Sequence, residues 1–171
     1  MARPLGFLEV VMFTVSVLAV GKLKESFYRD ACAEYQKRLA AYCRLEVTEL
    51  PECRLPERPS PAEIAAGLSR EAEALRARIP RGAWVCVLTP EGKLQSSEQL
   101  AETLRTCKLS GRSTACFILG SSFGLDPSVK KLADLRLSMS PMTFPHHLAR
   151  VMLLEQLYRA ESIQAGTSYH K

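Results

Sequence analysis

The sequence has no CxxC pair and no cluster of cysteine and histidine at zinc-ligand spacing, although it carries six cysteines. Cys32, Cys43, Cys53, Cys86, Cys107 and Cys116 are scattered, several of them inside apolar runs. That pattern indicates reduced, buried thiols in a cytoplasmic protein, not a disulfide scaffold, and no metal is expected. Neither GxGxxG nor a Walker lysine pattern occurs, so a dinucleotide or ATP site is unsupported. No apolar stretch approaches the ~20 residues that span a bilayer. Residues 10–21, behind a single Arg3, superficially resemble a short signal-peptide core. Residues 13–20 nevertheless read as a β-rich first strand ending at Gly21, and cleavage would take an element from the core. No membrane partner is expected. Repeats and low-complexity tracts are missing as well.

What remains is enough for one domain with a real core: 171 residues carrying a formal net charge of +5. The basic bias is moderate and permits nucleic acid as a partner without proving it. Residues 1–11 are expected to be an accessory extension, with Met12 as an alternative start, and residues 12–171 to be the single domain.

Strand-like and helix-like segments alternate, which argues for an α/β domain with a mainly parallel sheet of five to six strands and helices on both faces. Strands are expected at residues 13–20, 45–50, 83–89, 114–120 and 135–139. A first helix is expected over 24–42, with Phe27, Ala31, Tyr35, Leu39 and Tyr42 at helical spacing. The second begins sharply, since Ser60 can cap, Pro61 suits the first helical position and Glu63 completes a capping box. Ile64, Leu68, Ala72, Leu75 and Ile79 form its expected buried stripe. A turn is expected at Pro90, Glu91 and Gly92, and a third helix from Ser96 or Ser97. Asp126 and Pro127 open a short helix. The last helix, 146–164, is apolar around much of its circumference, which usually means more than one packing partner, here a second subunit.

Gly120 and Gly124 flank a short loop at the end of a buried strand. Ligands in open α/β sheets bind beyond the carboxyl ends of strands, where backbone can approach closely; an ordinary tight turn would look the same. Three strand ends, at Leu88 and Thr89, at Gly120 and Ser121, and at Met139 to Phe144, would converge if their strands are parallel neighbours. Leu, Met and Phe there could clasp an adenine while loop backbone reads its edge. His146 and His147 are adjacent, so they do not share a helix face and are not a metal pair; His146 is expected to order the loop. Glu155 and Arg159, spaced i, i+4, read either as an intrahelical salt bridge or as part of an active site. Arg150 lies off that pair and could meet a phosphate. Tyr169, His170 and Lys171 end the chain with a stacking ring, a titratable imidazole and a cation. Such a tail is either frayed or suited to unpaired bases and phosphates.

VLAVGKLKE, the GxxxG of FILGSSFGL, LSMSPMTFPHHLARVMLLEQLYRA and the terminal YHK together resemble the ribosomal RNA large subunit methyltransferase H family, of the SPOUT class, over residues 12–171. The resemblance implies a homodimeric α/β fold with a C-terminal deep trefoil knot, an exception to the rule that chains do not thread loops. It implies S-adenosyl-L-methionine as methyl donor. The acceptor it implies is N3 of a pseudouridine in large-subunit (23S) rRNA of the assembled ribosome. By position, the family's cofactor residues fall on Leu88, Gly120, Met139, Ser140, Pro141, Met142, Thr143 and Phe144. Thr89 stands where members often have Asp, and Ser121 where they have a second Gly.

Within that frame His170 is the candidate base for the N3 proton, because its ordinary pKa lies near neutrality. Tyr169 is expected to stack on or position the base, Arg150 and Lys171 to engage phosphate, and Arg159 with Glu155 to brace the tail against RNA. Two rivals stay open: a non-catalytic ribosome-binding or assembly factor on a knotted scaffold, and a SPOUT RNA methyltransferase with another target nucleoside.

Overall fold

The computed structural model describes residues 11–171, so most of the expected N-terminal extension lies outside the described residues. The elements run β1 (Thr14–Val20), α1 (Ser26–Leu39), β2 (Arg44–Leu50), α2 (Pro61–Arg78), β3 (Trp84–Leu94), α3 (Ser97–Leu109), β4 (Thr114–Leu119), α4 (Pro127–Lys130), β5 (Leu135–Ser138) and α5 (His146–Gln164). All pairings in the five-stranded sheet are parallel, in the order β2-β1-β4-β3-β5.

Parallel strands buried on both faces need near-continuous apolar runs, and β1 and β4 supply them: VSVLAV, with Ser16 its one polar residue, and ACFIL are buried without interruption. Two cores result. Val15, Val17 and Phe117 face α1, α3 and α5, packing on Leu39, Leu104 and Leu153. Leu18, Val20 and Ile118 face the other way, toward Ala72 and Leu75 of α2 and Val129 of α4. Helix α5 packs against both α1 and α3. The six cysteines are free thiols, all buried except the partly exposed Cys53.

The caps are as the sequence predicts. Ser60 accepts from the Glu63 N–H while the Glu63 carboxylate accepts from the Ser60 N–H, with Pro61 at the first helical position. Ser96 and Gln99 form a second capping box, and the Asp126 carboxylate accepts from the Ser128 N–H at 2.7 Å.

Three expectations are corrected. Helix α1 is shorter than 24–42, and its buried residues are Cys32 and Leu39, leaving Phe27 61% exposed. At 100° per residue, burial by Cys32 turns Phe27 out of the buried stripe. The buried face of α2 consists of Gly67, Glu71, Ala72 and Leu75, so a carboxylate occupies the middle of the expected apolar stripe. Strand β3 does not stop at Thr89. Residues 89–92 leave the ladder as a bulge, Leu88 and Lys93 both pair with Leu137, and the strand resumes to Leu94. Pro90 cannot donate to the ladder. A Cβ on Gly92 would stand 2.6 Å from the backbone carbon of Leu137, so only glycine lets the bulge close onto β5.

Candidate functional site

Because β4, β3 and β5 are consecutive parallel neighbours, their carboxyl ends open on the same edge of the sheet. A cavity of about 380 Å³ lies there, lined by the ends of all three strands and by the start of α5. Leu88 and Thr89 come from β3, Gly120 from the end of β4, and Met139, Ser140, Met142, Thr143 and Phe144 from the loop after β5. Pro141 belongs to that loop without lining the cavity. The walls are mainly apolar, with Leu88, Leu119, Leu125, Leu137, Met139 and Phe144 among them.

The floor is a tight turn. Ser121 bridges to Gly124, whose N–H donates to the Ser121 carbonyl at 2.9 Å, and Gly124 takes φ +87. A Cβ on Gly120 would lie 2.2 Å from the Gly124 carbonyl oxygen, so no other residue fits this position with the loop in place. The loop after β5 is also fixed by its own bonds. Ser138 Oγ donates to the Ser140 carbonyl at 3.0 Å, and the Met142 N–H donates to Ser140 Oγ at 3.0 Å. Met142 is left 74% exposed at the cavity mouth.

Polar side chains, among them Thr89, Glu91, Lys130 and His146, stand between the apolar ones. Glu91 in the β3 bulge pairs with Lys130 of α4, and the Lys130 ammonium holds the Glu91 carboxyl down at about 2. Thr89 Oγ1 and His146 Nε2 are buried with no hydrogen-bond partner. The Glu91 carboxylate stands near enough to Thr89 to feel its hydroxyl without meeting hydrogen-bond geometry. Buried polar atoms without partners cost free energy, and a ligand in the cavity offers them partners. His146 is held below the ordinary histidine pKa by burial and then by the neighbouring His147, which keeps its ring neutral. A mainly apolar slot with the unpartnered Thr89 Oγ1 fits a nucleoside with hydroxyl groups.

The tail sits elsewhere. None of Tyr169, His170 and Lys171 lines this cavity. The Tyr169 hydroxyl donates to Glu155 Oε1 at 3.1 Å, and its ring meets Tyr158 edge-on with centroids 4.6 Å apart. Burial pushes the Tyr169 phenol up to about 12. Arg159 donates from Nε and Nη2 to Glu155 Oε1 at 2.9 and 2.6 Å and lies over the Tyr169 ring. The Glu155–Arg159 pair is therefore an intrahelical ion pair, and it also grips the tail. His170 stands between Arg159 Nη1, 3.3 Å from its Nδ1, and Glu98 of α3, 2.8 Å from its Nε2. Arginine only donates, so Nδ1 is the acceptor and Nε2 carries the proton. Lys171 is exposed.

Arg150 is placed differently from the expectation of a phosphate contact. It is 2% exposed, Nη2 donates to the Gly21 carbonyl at 2.8 Å, and Nη1 lies 3.6 Å from Glu49 Oε2. These contacts at the carboxyl ends of β1 and β2 tie α5 to the sheet. The sequence reading also missed Glu91, Lys130 and the cavity position of His146. Only the Pro-His step before an apolar helix marked His146, and it does not report which way the ring turns.

Among the described residues no group of three His, Cys, Asp or Glu could hold a metal ion, and no helix is long and apolar enough to cross a membrane.

A family described as predicted SPOUT methyltransferase matches residues 13–170. A ribosomal RNA large subunit methyltransferase H from Pelotomaculum thermopropionicum is 45% identical over 159 residues, 93% of this chain and 99% of that protein. Its counterpart from Bifidobacterium adolescentis is 46% identical over 157 residues, covering 92% and 99%. Among solved structures, a probable methylase family protein from Haemophilus influenzae superposes with a TM-score of 0.53 at 12% identity, over 92% of this chain and 70% of that one. A tRNA (m1G37) methyltransferase from Aquifex aeolicus gives 0.51 at 15% identity, over 86% and 69%. At such identities these two show a shared fold alone.

Proposed function

The chain belongs to the SPOUT methyltransferases, in the family of ribosomal RNA large subunit methyltransferase H, and from that premise we propose the reaction it catalyses. A methyl group passes from S-adenosyl-L-methionine to N3 of a pseudouridine in the large-subunit rRNA of assembled ribosomes, in the cytoplasm. The observation that carries the proposal is the convergence of three parallel strand ends on one apolar cavity with a glycine floor. When bound, S-adenosyl-L-methionine supplies a sulfonium-activated methyl group. Leu88, Met139 and Phe144 would enclose its adenine, Gly120 would let it approach backbone, and Thr89 Oγ1 is free to meet a ribose or amino-acid oxygen or nitrogen.

Methyl transfer by in-line displacement asks the protein mainly to align two reactants and exclude water. It also leaves one proton on N3 to be removed. His170 takes that proton on Nδ1 once Arg159 lets go of it, and Glu98 steadies the imidazolium through Nε2–H. Tyr169 stacks on or positions the base, while Lys171 and a released Arg159 engage phosphate. Arg150 acts through the scaffold, holding the end of β1. Because the tail lies on α5 and α3 and away from the cavity of its own chain, the proposal includes a homodimer in which one tail serves the partner's cavity. The C-terminal trefoil knot is part of the proposal.

The test is incubation of unmodified ribosomes with the protein and labelled S-adenosyl-L-methionine, followed by mapping of the modified nucleoside. Label on pseudouridine N3 in assembled ribosomes is the expected result. Label confined to free subunits, or to another nucleoside, would overturn it. Cofactor binding without transfer to any RNA would favour an assembly factor, the reading that Thr89 and Ser121 leave open.

A further inference from the structure

Glu71 sits on the sheet-facing side of α2, 7% exposed. A carboxylate removed from water stays charged only where protein donors replace its hydration. Two donors reach it from distant parts of the chain. The Cys53 N–H, in the segment after β2, donates to Oε1 at 2.8 Å, and the Ser121 hydroxyl donates to Oε2 at 3.1 Å. Burial pushes the Glu71 carboxyl above the ordinary carboxylate value, and these two bonds restrain the rise. Ser121 lines the cavity and pairs with Gly124 in the floor turn, whereas Glu71 stays behind that turn, outside the cavity. The hydroxyl that replaces a second glycine in the floor therefore points to α2.

We infer that Glu71 is a positioning residue for the cofactor: by gripping the Ser121 hydroxyl and the Cys53 N–H together, it holds the 120–124 turn at the height at which the cofactor seats. This rests on the reading of the cavity as the S-adenosyl-L-methionine site. Removing the carboxylate strands two donors and opens space behind the turn. The turn then spreads over several positions, and cofactor affinity falls by the fraction of time it spends in the competent one. Glutamine keeps the tie, since its carbonyl accepts from Cys53 and its amide donates to Ser121 Oγ, which accepts as readily as it donates.

The experiment titrates the full chain with S-adenosyl-L-methionine alone in a calorimeter, beside thermal melting. Glu71→Ala is expected to raise Kd about tenfold and Ser121→Ala about fivefold, with the double variant no weaker than Glu71→Ala, because both changes break one link. Glu71→Gln should stay within about twofold of the parent, rescue that plain loss of packing would not predict. In turnover, KM for the cofactor should rise while KM for the ribosome holds. Unchanged Kd in Ser121→Ala, or fully additive losses in the double variant, overturns the inference, and Ser121→Ala decides alone should Glu71→Ala fail to fold. Met139→Arg, which fills the cavity, separates the two readings. If it binds cofactor normally, the cavity assignment fails and the inference with it. If it abolishes binding while Glu71→Ala and Ser121→Ala bind normally, only the positioning role is lost.

Discussion

The carboxyl ends of β3, β4 and β5 and the last three residues of the chain carry the two halves of the proposed chemistry, and they are held by different forces. The cavity is held by backbone. Its strands β3 and β4 pair on both sides and β5 pairs with β3, its floor is a turn in which Gly120 leaves no room for a side chain, and its roof loop is closed by Ser138 and Ser140. The tail is held by half-buried side chains: a tyrosine hydroxyl on Glu155, an arginine over its ring, and an imidazole shared between Arg159 and an exposed Glu98. The contact of His170 with the exposed Glu98 is weak and screened by salt, so His170 and Lys171 can be redeployed at less cost than the cavity, while Tyr169 is anchored on the half-buried Glu155–Arg159 pair. On the proposed reaction the donor site is preformed, and the acceptor chemistry is assembled when RNA and the proposed second subunit arrive.

The sharpest way to break this contrast is to damage each half and look for damage in the other. His170→Ala should slow single-turnover methylation by about 10²- to 10⁴-fold, the usual contribution of a positioned base, with cofactor affinity unchanged. Parent-like chemistry in that variant would remove the base assignment. Gly120→Ala should do the reverse. The overpacked floor costs cofactor affinity about 10- to 100-fold, measured by titration, and the tail's ion pairs are untouched.

A pH series sharpens the contrast from the cavity side. His146 has its folded pKa lowered by burial, below the ordinary 6.5. A base so depressed contributes stability that is present above 6.5 and is lost as pH falls through the folded value, because the unfolded chain then binds more protons. Melting of the parent should weaken over that acid window, modestly because the ring is partly exposed, and His146→Gln should lack this component. Equal acid sensitivity in both would show that the ring is not held neutral by its site. The smallest effect belongs to the tail: Lys171→Ala should lower the salt dependence of ribosome binding by about 0.7 to 0.9 in log–log slope for each phosphate left without its cation, leaving cofactor titration as it was.

Much of this frame was legible beforehand, and the particular residues show why. VSVLAV and ACFIL mark strands buried on both faces because no charged residue and, apart from the small Ser16, nothing polar interrupts them, and Ser60-Pro61 with Glu63 marks a helix start through contacts three residues apart. From parallel strands the convergence at Leu88, Gly120 and Met139 follows, since all carboxyl ends share one edge. The β3 bulge was not legible, because Gly92 is needed only when the β5 backbone is already beside it. Arg150 and Glu71 were misread or missed for one reason: their partners, Gly21 and Ser121, lie far away in sequence.

The order of elements, their caps, the apolar strands and the family follow from sequence alone, because each depends on neighbours a few residues apart or on a long run of matched positions. Which polar side chains turn inward, and that the tail lies away from its own chain's cavity, was decided only in three dimensions. A small rotation of a helix about its axis exchanges a solvated face for a buried one, and the pairing of a charge is settled by what the sheet brings against it.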